Sequence, residues 1–470
     1  MSTVSDITTF QDTTFAALRT SYPTWDLLSA YLKTELGLIT KKVDAHYALI
    51  HYDKTKSRMS HSLVRIFRSV VWDTERNLPV SVTPPKSVDG EQVPAFADPS
   101  DVDSYTVSEF YDGTLIGAFR CKYENKVILH TRTHMPANNT YYSKKTFAEM
   151  VEEAVPMDTL AIENGTCYAY VLQHPENRIV VPTIRPALKL VQTATISEDG
   201  TLGIPQPPSD HVPLASSLPS AYEILRTEGE VGLKRALLAK MVGITATMPF
   251  QGVVILDKHT NTRYKIRTSH YNSIRQLRGD TANLEFVWLC HWKLDKLADY
   301  LRIYPEEKTA ANALLEQWKR SSNEIFGFYK DVFIFHTIQL NQVPRKYRPL
   351  LHEMQEMYKT VLKPQGRRMT WHDIRTFLNN QDVPRILFVL HYRDIPSSAV
   401  RQRSTVEVTA TGGFNIRSGD YLPTPTPTPI TSFPSPTPIT SYAQIARRGI
   451  EEFPATNAGL AVETTHNDFD

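Results

Sequence analysis

Apolar residues recur at helical spacing from the start of the chain: Phe10, Phe15 and Leu18, then Trp25, Leu27, Leu28, Tyr31, Leu32 and Leu36. Pro23 separates two helices and Gly37 is a natural stop for the second. Residues 1–45 are therefore expected to form an N-terminal helical segment. From Tyr47 the period changes to two. Strands are expected at 47–52 and 64–73, followed by the stretch 79–87, and again from 105, where the strand entering the 109–116 turn is followed by 115–121 and 126–133, with a turn at Glu124–Asn125 giving a hairpin or meander. Residues 88–104, rich in Pro, Asp and Ser, read as a surface loop. A helix is expected over 144–155. Strands follow at 167–172 and 178–181, on either side of the turn His174-Pro175-Glu176-Asn177, and at 188–195. A polar loop (197–220), a helix (220–241) and a hairpin (250–257 with 263–268) complete this region.

Beyond about 270 the alternating signal fades and the pattern is helical to about 395, with helices expected at 310–318, 324–335, 349–362 and 371–378. The class expected is α+β: antiparallel sheets over 46–280, then an all-α domain over 281–400. Residues 401–470 differ in kind. The run Pro423 to Ile439 is a Pro-Thr-Ser repeat that favours solvated polyproline II and cannot pack a core. A disordered tail is expected, with docking to a protein partner as its functional alternative.

Composition changes this picture little. Hydrophobic residues are 41% of the 470, charged residues 22%, and the net charge is +2. Whole-chain charge thus gives no argument for nucleic acid or acidic lipid, and any such role must be local. No apolar run approaches the ~20 residues of a membrane span, and the N-terminus has neither a basic nor an apolar leader segment. Three cysteines, Cys121, Cys167 and Cys290, are too far apart in sequence for a zinc set or a disulfide framework. A reducing, cytoplasmic location without a membrane is the expectation. No phosphate-loop, dinucleotide, HExxH or CxxC pattern is present, and no metal-ligand set is evident.

Four short β motifs remain, in order. They are Glu109-Phe110-Tyr111-Asp112-Gly113-Thr114, then Tyr170–Val181 with its Pro-Glu-Asn-Arg-Ile-Val core, then Phe250-Gln251-Gly252-Val253-Val254-Ile255, and lastly Arg263-Tyr264-Lys265-Ile266-Arg267-Thr268. Each alone has an ordinary reading. The first is a hairpin turn with Gly113 for its backbone freedom, and the last is a basic strand face, since alternation puts Lys265 and Arg267 on one side. Together, over about residues 45–280, they resemble the nucleotidyltransferase domain of the phage-type RNA ligases. They are closer still to divergent ligase-like proteins of large DNA viruses, which would place the chain in an infected cell or a virion.

The resemblance implies an ATP-grasp-like nucleotidyltransferase domain, with ATP and Mg²⁺ as cofactors and RNA or nucleotide as partner. It implies a lysine nucleophile where Phe110 stands, and carboxylates where Val171 and Gln251 stand. Phe110 has no nucleophile, and an amide is a poor Mg²⁺ ligand. No catalytic residue is therefore assigned. Nucleotide or phosphate contacts are expected from Asp112, Gly113, Lys265, Arg267, Arg68 and Lys86. A basic cluster with an interleaved aromatic, Arg367, Arg368, Trp371 and Arg375, suits RNA backbone and stacking or a solvated helix face. The reading is a ligase-like protein that has lost lysine adenylylation and binds nucleotide or RNA ends, or acts as a scaffold. The alternatives are an active enzyme with another nucleophile, for which Lys122 and Lys126 lie nearest in sequence, and a virion or docking protein working through its tail.

Overall fold

The computed structural model describes residues 11–89, 105–203, 251–257 and 262–392. The chain divides into two units, Met1–Ala282 and Asn283–Asp470. The helix expected over 220–241 and the Pro-Thr tail lie outside the described residues.

In chain order the first unit contains β1 (Gln11–Asp12), α1 (Thr14–Ser21), α2 (Trp25–Thr34), β2 (Ile39–Lys42), β3 (Tyr47–His51), α3 (Ser62–Ile66), β4 (Val70–Asp73), β5 (Leu78–Val82), β6 (Val88–Asp89), β7 (Tyr105–Glu109), β8 (Thr114–Arg120), β9 (Val127–His130), α4 (Phe147–Ala154), β10 (Thr166–Gln173), β11 (Ala187–Ile196), β12 (Leu202–Gly203), β13 (Gly252–Asp257), β14 (Thr262–Arg267) and α5 (Ser269–Arg278). They form three sheets: β2-β3-β4-β5, β6-β14-β13-β7, and a six-stranded β1-β12-β11-β10-β8-β9. All pairings are antiparallel except the short β14 to β6 contact.

Alternation along the six-stranded sheet gives it two buried faces. Ile116, Tyr168, Tyr170, Leu172, Leu188 and Leu190 meet Phe147, Met150 and Val151 of α4. That helix starts on a Thr146–Glu149 capping box. Phe119, Cys121 and Cys167 face the other way and share a core with α1, α2 and the β2–β5 sheet, centred on Phe15, Leu28, Phe67 and Trp72. Farther along this second face, Leu115, Val171 and Lys189 stand side by side in register and are only half-buried.

Several expectations are corrected. The segment read as helical over 1–45 ends in a strand, because β2 pairs with β3 through Ile39–His51 to Lys42–Ala48. The strand expected over 64–73 begins only at Val70. His61 caps a short helix before it, its ring accepting from the Leu63 N–H. Residues 178–181 do not form a strand, because the Val180 and Val181 N–H groups donate to a side chain instead of a ladder. Most telling, 109–116 is not a hairpin. β7 belongs to the four-stranded sheet and β8 to the six-stranded one, so Phe110–Gly113 carries the chain from one sheet to the other.

The second unit is helical: α6 (Leu284–Lys293), α7 (Leu297–Ile303), α8 (Lys308–Phe333), α9 (Arg348–Met357), α10 (Trp371–Asn379) and α11 (Val383–His391). The two helices expected over 310–318 and 324–335 are the single helix α8. The polar run Arg320–Asn323 contains no Gly or Pro to break it. Ser321 and Ser322 are buried, and the Ser322 hydroxyl returns to the Trp318 carbonyl at 2.8 Å. Among the described residues no helix is long and apolar enough to cross a membrane.

Candidate functional site

The linker between the sheets is fixed by its own polar groups. The Phe110 N–H donates to the Gly252 carbonyl at 2.9 Å, extending the β7 to β13 ladder by one bond. Asp112 is buried. Its Oδ2 accepts from the N–H groups of Val180 (2.9 Å) and Val181 (2.8 Å), and its Oδ1 accepts from the Tyr271 hydroxyl at 2.6 Å. Burial first, and then Asp112, push the Tyr271 phenol well above its ordinary range. The Asp112 carbonyl accepts from Gln173 Nε2 at 3.0 Å, and Asn177 Nδ2 donates to Thr114 Oγ1 at 3.0 Å. At Gly113 a Cβ would lie 2.3 Å from the Leu172 carbonyl oxygen. Asp112 and Gly113 thus stand inside the site as its frame. The carboxylate binds three internal donors, which accounts for the shape of the Pro-Glu-Asn-Arg-Ile-Val turn.

The half-buried Phe110 ring lies under a cation. The Arg267 guanidinium carbon is 5.2 Å from its centroid and 6.0 Å from that of Tyr271. Arg68 is electrostatically coupled to Arg267. The Tyr52 N–H donates to the Phe67 carbonyl at 2.9 Å, which sets Arg68 next to Tyr52. Arg132 lies over the Tyr52 ring at 5.5 Å and donates to the Tyr52 carbonyl at 3.3 Å. The pKa of Arg68 is lowered, by burial first and then by Arg132 and Arg267. That of Arg263 is lowered to about 9, by burial and then by Arg68. Arg68 and Arg267, both expected from sequence to contact phosphate, are thus electrostatically coupled, and Arg132 and Arg263 are coupled to Arg68 as well. Arg263 shares the strand face of Lys265 and Arg267 and was legible by alternation. Arg132 carried no local signal. Lys265 is half-buried on the same face. Lys86, two residues before β6, has its N–H on the Arg65 carbonyl at 2.8 Å.

Val171 sits between Leu115 and Lys189. Lys189, absent from the sequence reading, has its Nζ 5.9 Å from the centroid of the Tyr111 ring. The pKa of Glu109 is raised by burial, against an opposing pull from Lys189. Gln251 is 5% exposed, and its Oε1 has no hydrogen-bond donor among the described residues. By contrast, Lys122 lies past the far end of β8, a seven-residue strand roughly 20 Å long, and Lys126 pairs with Glu124.

This donor set does not fit a divalent cation. Mg²⁺ wants anionic oxygens in near-octahedral array, and Val171 and Gln251 supply none. Among the described residues no group of three or more His, Cys, Asp or Glu could hold a metal ion.

In the second unit, Arg367 pairs with Asp373 at 3.1 Å beside the Thr370 cap of α10. One side of Trp371 is taken by Phe326, the ring centroids 5.0 Å apart. Arg368 and Arg375 are exposed.

No protein-family model matches the chain, and no curated protein sequence does. Among solved structures it is similar to an archaeal ATP-dependent RNA ligase, form 1, at 9% identity over 80% of this chain and 81% of that one, with a TM-score of 0.34. For form 2 of an archaeal ATP-dependent RNA ligase the values are 11%, 66%, 83% and 0.34. A putative ATP-dependent DNA ligase from Aquifex aeolicus gives 12%, 77%, 78% and 0.32. At these values the similarities carry no argument, and no residue role is transferred from them.

Proposed function

We propose that the chain is an RNA ligase-like protein that binds phosphorylated RNA ends or nucleotides and does not form a lysyl-nucleotide. The observation that supports this is the Arg267–Phe110 pair. A position that needs a deprotonated amine for attack on an α-phosphate carries instead an aromatic ring covered by a fixed cation. Around it lie cations suited to phosphate oxygens, since a guanidinium fork can bond two of them at once. Taken by itself, the second unit presents exposed Arg368 and Arg375, which suit contacts to an RNA backbone.

The test has two arms. ATP labelled at the α-phosphate is incubated with the full chain and Mg²⁺ or Mn²⁺, then denatured, and no labelled protein is expected. A short RNA with a 5′-phosphate should bind about tenfold more tightly than its 5′-hydroxyl counterpart. Label that survives denaturation, or equal affinity for the two RNAs, overturns the proposal.

Lys189 favours a second reading. Its Nζ stands by Tyr111 and is electrostatically coupled to Glu109. After passing a proton to the Glu109 carboxylate, the amine could attack the α-phosphorus of ATP. A P–N bond would form as the bond to pyrophosphate breaks. Protein labelling abolished by Lys189→Ala would establish this route in place of the first.

A further inference from the structure

We infer that the site neutralises the charge of a phosphate-bearing ligand with the guanidiniums of Arg68, Arg132, Arg263 and Arg267, and that this binding requires no divalent cation.

The inference rests on the binding reading above and adds to it which residues act and what they replace. Arg132 lies over the ring of Tyr52, which the Phe67 carbonyl ties next to Arg68, and Arg68 is in turn electrostatically coupled to Arg132, Arg263 and Arg267; the four come from three separated stretches. Arg68 follows α3, Arg132 follows β9, and Arg263 and Arg267 share one face of β14. Chain separation of this size means that the fold, not local sequence, assembles the cluster. Like charges drawn together in a partly desolvated place repel one another, and an arrangement of this kind normally contains carboxylates. Here none is found. Among the described residues the guanidiniums of Arg68, Arg263 and Arg267 make no ion pair and no hydrogen bond, and Arg132 makes only its bond to the Tyr52 carbonyl.

The aromatic rings account for how such a group is held. Tyr52 lies under Arg132, and Phe110 and Tyr271 lie against Arg267. An arginine stacked on a ring is positioned through its face, which leaves most of its N–H edge free for an oxyanion. Arg132 and Arg267 are exposed, and Arg68 and Arg263 are half-buried, so the edges can be reached from solvent. The same neighbourhood has Gln251 in place of an acidic residue. A carboxylate there would hold a cation, whereas a neutral amide adds no negative charge to compete with a phosphate. Of the two carboxylates that flank Phe110 in sequence, Asp112 is occupied by three internal donors. Glu109 alternates to the other side of its strand from Phe110. The site has thus exchanged metal-holding oxygens for fixed positive charge.

The test uses the full chain with three probes, ATP, inorganic triphosphate and a 5′-phosphorylated RNA, each titrated in EDTA and in Mg²⁺. Affinity in EDTA is expected to equal or exceed that in Mg²⁺, because the cation competes with the arginines for phosphate charge. Arg68→Ala, Arg132→Ala and Arg263→Ala should each weaken binding about tenfold. The lysine variants at the same positions should recover part of it, and they also serve if an alanine variant fails to fold. Binding that falls tenfold or more in EDTA, or that is indifferent to all three substitutions, overturns the inference and leaves the binding proposal standing. No binding of any probe in either buffer overturns both.

Discussion

The Tyr271 hydroxyl donates to Asp112 Oδ1 across 2.6 Å, joining the linker between the two sheets to a helix 159 residues later in the chain. The same carboxylate holds the N–H groups of Val180 and Val181. Asp112→Ala would leave three donors at this buried point without an acceptor. A loss of about 3–5 kcal/mol of stability is expected. Tyr271→Phe should cost about 1–3 kcal/mol. Urea denaturation checks the size. Hydrogen exchange checks the cause, since the Val180 and Val181 amides should exchange faster in the alanine variant.

Gly252→Ala should be strongly destabilising. Its φ is +145°, and an added Cβ would lie 1.9 Å from the Ile266 carbonyl oxygen, a backbone atom of the paired strand that cannot turn aside. A cost of about 2–4 kcal/mol is expected. The ladder to β14 and the bond to Phe110 N–H should loosen together, read as a lower melting temperature and as faster exchange at Phe110.

His130 makes stability depend on pH. Its ring is fully buried between Ser69 Oγ (3.1 Å) and Ser81 Oγ (2.8 Å) and lies over Gly117. Burial lowers its pKa to about 4. The unfolded chain takes up a proton near pH 6.5 and the folded one does not. The stabilisation is therefore complete above about pH 6.5 and is lost as pH falls toward 4, by about 3 kcal/mol in all. Urea midpoints at pH 7 and pH 4.5 measure this, and in His130→Gln the slope across that range should shrink.

Phe110→Lys should not produce ligation. The new amine would stand beside Arg267, and Val171 and Gln251 would still offer no metal ligand. Joined RNA in a gel assay would refute this expectation. Lys265→Ala combined with Arg267→Ala should weaken binding of 5′-phosphorylated RNA about tenfold or more, measured by fluorescence polarisation.

Much of the molecule was legible along the chain. Apolar periods of 3.6 and 2 reflect which side of an element meets the core, so α2, α4, β3, β8, β10 and the β13–β14 hairpin follow from local sequence. Alternation was enough to align Lys265 and Arg267 on one face of β14. Local pattern erred where a polar group outside the element decided the outcome. Residues 178–181 looked like a strand, but their N–H groups go to Asp112. Residues 109–116 looked like a hairpin, but β8 finds its partners in β9 and β10 while β7 pairs with β13. Asp112 looked like a ligand contact, but its acceptors are filled by donors at 180, 181 and 271. Arg132 carried no signal in the sequence yet lies over Tyr52 beside Arg68, and only the pairing of β11 with β10 sets Lys189 beside Val171. Sequence by itself determined most of the elements, because those depend on neighbours a few positions away. Only tertiary structure decided which cations share one place and which carboxylate is already engaged, because those contacts join residues 60 to 160 positions apart.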